Sequence, residues 1–130
     1  MNRLSEPIKV FKSLKQAKTC LKEWQDRLFL NDWIIDIELD QDLDGRDGTV
    51  EYNYVNEANV KIGKPRVKRY CAELILIHEL LHLRYGLFRK ESETYEENFV
   101  EMYEHMKMEQ LAKSLLMAKY NLKFNWFKNY

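Results

Sequence analysis

Cysteine, proline, histidine and glycine are all scarce in this chain, at two, two, three and four among 130 residues. Cys20 and Cys71 lie within apolar-periodic segments and show no CxxC spacing, which excludes a disulfide framework and a thiolate metal site and leaves buried free thiols. So little glycine and proline excludes a collagenous or low-complexity chain. Net charge is missing too: 21 basic residues balance 21 acidic ones. No field of one sign therefore recruits nucleic acid or an anionic membrane, and any charged binding face has to be local. No apolar run approaches the roughly 20 residues of a membrane span. The start, Met1-Asn2-Arg3-Leu4-Ser5-Glu6-Pro7, leads into a Lys-rich amphipathic segment without the apolar core of a secretory signal, so a cytoplasmic location is expected. Hydrophobic residues at 45% and charged residues at 32% fit one compact domain over 1–130.

Within that frame the periodicity is clear. Phe11, Leu14, Ala17, Leu21, Trp24 and Leu28 recur at three- and four-residue steps between Val10 and Leu30, which predicts an amphipathic helix. Trp33 to Leu39, Thr49 to Val55 and Ala58 to Ile62 alternate apolar and polar residues, which predicts a small antiparallel-rich sheet. Tyr70 to Tyr85 reads as a helix apolar almost all round, hence buried. Ser92 can cap a long last helix from Glu93 to Ala118 whose first turns are rich in Glu. The order predicts an α+β fold, closed by an aromatic tail from Tyr120 to Phe127.

Inside the buried helix stands His78-Glu79-Leu80-Leu81-His82. Residues four apart share a helix face, so both imidazoles can reach one ion at about 2.0–2.1 Å, and Glu79 beside the first can hold a water on it. HExxH alone is weak evidence, but here apolar residues flank it and fill its middle. Burying three such polar groups without partners costs on the order of 2–7 kcal/mol each. A divalent cation offsets that cost more simply than a self-satisfied polar patch does.

Zinc needs a third protein ligand and an open position. If the two last helices form a hairpin with a short loop, the residue midway between the histidines faces position 97 or 98. Glu97 is therefore the favoured third ligand, on a stripe through Val100, Glu104, Met108, Leu111 and Leu115. Glu104 is its main rival, and Glu101, Glu96 and His105 complete the candidates. HExxH followed fifteen residues later by Glu97 resembles the gluzincin arrangement. More narrowly, with Trp33-Ile34-Ile35-Asp36-Ile37 and Ala58-Asn59-Val60-Lys61-Ile62 ahead of it, the chain resembles small phage- and prophage-encoded zinc metallopeptidases over about residues 21 to 116. The resemblance implies a minimal zincin fold in the host cytoplasm and the Ala58–Ile62 strand as an edge for an extended peptide. It implies Zn2+ on His78, His82 and Glu97, with Glu79 as general base in peptide-bond hydrolysis. Glu101-Met102 replaces the alanine-asparagine pair of the ImmA/IrrE-like group, and the cysteine zinc ribbon and clear third histidine of SprT-like proteases are lacking. For the oxyanion, Tyr103, His105 and Tyr120 remain unranked. The alternative is a binding or regulatory module that uses metal structurally and recognises a protein partner near DNA.

Two weaker signals complete the reading. Asp40, Asp42, Asp44, Gly45 and Glu51 satisfy the calcium-loop spacing, but strands rather than helices flank them and Asp47 fills an apolar position. An acidic hairpin connection is the favoured reading, with structural Ca2+ as the other. Lys61, Lys64, Arg66, Lys68 and Arg69 precede the metal helix, and Arg84, Arg89 and Lys90 follow it. A solvated collar is favoured there over a contact with nucleic acid or acidic substrate, because no aromatic interleaving supports nucleic acid.

Overall fold

The computed structural model describes residues 6–40, 43, 47–52, 56–63, 71–85 and 95–122, the side chains of 95–103 excepted. Helix α1 covers Leu14–Arg27, and the Ser13 hydroxyl caps it by accepting the Gln16 N–H at 3.1 Å. Its buried face is Ala17, Cys20, Leu21 and Trp24. The helix stops short of Leu30 because Phe29 takes a left-handed φ of 58°.

Strands β1 (Ile34–Leu39), β2 (Gly48–Tyr52) and β3 (Glu57–Ile62) form one sheet in the order β1-β3-β2. The antiparallel-rich expectation needs correction: the sheet is mixed. Ile37 pairs with Val60 in parallel register, whereas Val50 pairs with Val60 antiparallel. The cause lies in composition. In β3 the residues Ala58, Val60 and Ile62 are all buried, so the most apolar strand takes the centre and the more exposed strands flank it. Strand direction alternates along the chain, so β1 and β3 then run the same way. The Ala58–Ile62 strand is therefore no edge, since both its sides are paired. Among the described strands the edges are β1 and β2.

Helix α2 (Ala72–Tyr85) packs on the sheet and is buried along nearly its whole length. Its first N–H groups are satisfied by the chain start, with Ala72 N–H donating to the Lys9 carbonyl at 2.9 Å and Glu73 N–H to the Ile8 carbonyl at 3.1 Å. Helix α3 (Tyr95–Tyr120) buries Met108, Ala112, Leu116 and Tyr120 at four-residue intervals. It ends where Asn121 adopts φ 54° and the Leu122 N–H reaches back to the Met117 carbonyl at 3.0 Å. No described helix is long and apolar enough to cross a membrane.

One carboxylate joins these parts. Glu73 is wholly buried, and its Oε1 accepts the Ile8 N–H at 3.0 Å and the Tyr120 hydroxyl. Its Oε2 accepts Trp24 Nε1 at 2.8 Å and Lys119 Nζ at 2.7 Å, and Lys119 also reaches Glu23 at 2.9 Å. Burial raises the Glu73 pKa, but the hydrogen bonds from Lys119, Tyr120, Ile8 and Trp24 outweigh it and hold the group below the usual carboxylate range. Breaking a buried pair by removing one partner costs about 3–5 kcal/mol, so Glu73→Ala should lose that much stability in urea unfolding; a loss under ~1 kcal/mol contradicts the role. Because the folded pKa lies below the unfolded one, the contribution is full above about pH 4.3 and lost as pH falls through the folded value. Glu73→Gln should flatten that acid limb, and an unchanged slope counts against the linkage.

Candidate metal centre

Helical spacing puts His78 and His82 on one face of α2, with ring centroids 5.1 Å apart. That face looks towards α3, which runs the opposite way and contributes the third histidine of the chain. The His105 ring lies 4.5 Å from that of His78 and 5.2 Å from that of His82, so the three imidazoles form a triangle with nearly equal sides. One nitrogen from each falls within 4.8 Å of the others. His78 Nε2 and His105 Nε2 approach to 2.9 Å. Tetrahedral coordination at about 2.0–2.1 Å puts neighbouring donors about 3.3 Å apart, so small side-chain shifts fit the set around one ion. The group can hold a metal ion.

Charge around the cluster is uneven. Glu109, one turn after His105 on α3, accepts a hydrogen bond from His78 Nδ1 at 2.7 Å. Burial lowers the His78 pKa, but this bond and the neighbouring Glu79 carboxylate carry it above the usual histidine value. Burial and the adjacent His78 charge push His105 the other way, against Glu109. Burial raises the Glu109 pKa, and the bond to His78 more than reverses that. Glu79 is buried on the side of α2 that meets β2. A Cβ on Gly48 would stand 2.6 Å from Ile75 Cγ2 and 3.3 Å from Glu79 Cγ, so the absence of a side chain there lets β2 run against α2 beside Glu79.

Of the predicted residues, His78 and His82 share the cluster, and Glu79 follows His78 on the side of α2 that meets β2. The side chains of Glu97, the favoured third ligand, and of Glu96, Glu101 and Tyr103 lie outside the described residues. Along the helix, Glu97 precedes His105 by eight residues, about 12 Å. Glu104 is half-exposed and pairs with Lys107 at 3.6 Å, and the group of possible ligands comprises His78, His82 and His105 without it. Tyr120 binds Glu73, which removes it from the oxyanion candidates. The structure places His105, one of the lesser candidates, beside His78 and His82, and adds Glu109, which the sequence reading does not name. The signal was the pair His105 and Glu109, four apart and so on one face, in a chain with only three histidines. Asp42 and Asp44 of the acidic loop lie outside the described residues, as do Lys64, Arg66, Lys68, Arg69, Arg89, Lys90 and the tail from Lys123. Glu51 is exposed on β2.

Comparison of the chain with known protein families, with curated proteins and with solved structures gives no match. The donor set itself can be tested. Purified protein should bind close to one equivalent of zinc, which His105→Ala should abolish while Glu97→Ala and Glu104→Ala keep it. Retention by His105→Ala with loss in Glu97→Ala would return the third position to the glutamate.

Proposed function

We propose that the protein is a zinc-dependent peptidase of minimal zincin type, with His78, His82 and His105 as metal ligands and Glu79 as general base. The observation that carries this reading is the triangle of imidazoles closed across α2 and α3 beside a buried glutamate. Three protein ligands leave a fourth position open, as hydrolytic zinc sites require and closed structural sites do not. The buried Glu79 favours an enzyme over a binding module, because a purely structural site has no use for it.

Bound zinc supplies Lewis acidity, polarising a peptide carbonyl and acidifying water. Glu79 takes a proton from the attacking water and returns it to the leaving nitrogen, so water is added across the C–N bond and no cofactor is consumed. Its burial excludes bulk solvent and fixes the carboxylate beside His78. The substrate backbone is aligned by β2, the edge strand that passes Glu79 at Gly48, in place of the Ala58–Ile62 strand. A recess of about 290 Å³ between Tyr85, Glu104, Lys107, Met108 and Leu111 lies one turn from His82 and His105 and offers apolar walls to a substrate side chain.

Glu79→Gln should keep zinc but lower the cleavage rate of an unfolded protein substrate by about 10²–10⁴-fold, the usual contribution of a positioned general base. Zinc binding with no cleavage by either protein, across a panel of unfolded substrates, would favour the metal-containing module that recognises a protein partner.

A further inference from the structure

We propose that Glu109 positions His78 for the metal, fixing both its ring orientation and the nitrogen it presents. The inference rests on the metal reading above and deepens it. An ionised carboxylate only accepts hydrogen bonds, so the 2.7 Å contact from His78 Nδ1 to Glu109 Oε2 requires the proton on Nδ1. The neutral ring then carries its lone pair on Nε2, the nitrogen that stands 2.9 Å from His105 Nε2. A ring turned over, or protonated on Nε2, would present no donor there.

Three features make Glu109 more than a passing contact. His105 and Glu109 are four residues apart on α3, so one helix face delivers a ligand and the carboxylate that orients a ligand on the opposite helix. The His78 side chain is only 12% exposed, which leaves solvent little access to hold the ring in place of Glu109. The second oxygen, Glu109 Oε1, is buried with no hydrogen-bond partner among the described residues. A charged carboxylate with one oxygen buried and unpartnered is unfavourable by itself, whereas a divalent cation one imidazole away stabilises its charge. Partners of this kind tune metal affinity by 10–100-fold when removed, without touching the ion.

The test compares wild type, Glu109→Ala, Glu109→Gln and His105→Ala by zinc competition titration, by Co2+ absorption and by 15N NMR of the histidine rings. Glu109→Ala should weaken zinc about 10–100-fold while keeping the Co2+ spectrum of the wild type, and the His78 Nδ1–H signal should be lost. Glu109→Gln, whose amide oxygen still accepts the Nδ1–H, should recover part of the affinity and the NMR signal. Circular dichroism of the apo proteins checks that each variant is folded, and the Gln variant carries the test if the Ala variant is not. Affinity within twofold of wild type in both Glu109 variants overturns the proposal. So does an altered Co2+ spectrum with metal loss matching His105→Ala, which would make Glu109 a ligand. If wild type binds no zinc, the metal reading fails and this inference with it. If His105→Ala alone loses zinc, only the role of Glu109 fails.

Discussion

The buried carboxylate of Glu73 is the constraint from which the rest of the structure follows. Four donors converge on its two oxygens, from the chain start, from α1 and from the last turn of α3, while the residue itself opens α2. A charge with no exposure is tolerable only when fully paired, so each contributor is held to one geometry. Lys119 is held equally firmly: burial lowers its pKa, and the carboxylates of Glu73 and Glu23 raise it above the usual lysine value by more. The sliding of α3 along α2 is thereby stopped at one end. Once Lys119 and Tyr120 are on Glu73, the opposite run of the two helices brings Glu109 and His105 level with His78 and His82.

The site thus inherits its register from an ion pair some turns away from it. Apolar packing alone specifies this less well, because Met108, Ala112, Leu116 and Tyr120 repeat every four residues and a slip of one turn would keep the stripe in contact. The buried polar cluster distinguishes the turns. On the other side of α2, β2 approaches closely because Gly48 has no side chain, so Glu79 is enclosed between strand and helix. Helix α2 therefore presents His78 and His82 to α3 and Glu79 to the sheet.

Most elements were legible from periodicity. Three helices and three strands fall within a few residues of their predicted places, because local apolar spacing decides them. The pairing of strands was less so: alternation says which face is buried and is silent on which strand takes the centre. HExxH was legible because its four-residue step is local. The approach of His105 to its two histidines was not, since it depends on how far α3 slides past α2. A short-loop hairpin puts Glu97 opposite the histidines, whereas nine residues separate the helices and the anchor lies at the far end, on Glu73. No sequence pattern announces Glu73, a side chain whose four partners come from three distant segments.

Three imidazoles, closed across α2 and α3, are proposed to hold one divalent metal. The most direct measurement is X-ray absorption at the zinc edge of the loaded protein, which counts histidine ligands from the multiple-scattering pattern of their rings. Three imidazoles at about 2.0–2.1 Å with one further light donor are the result expected of this structure. Two imidazoles with a protein carboxylate would contradict it.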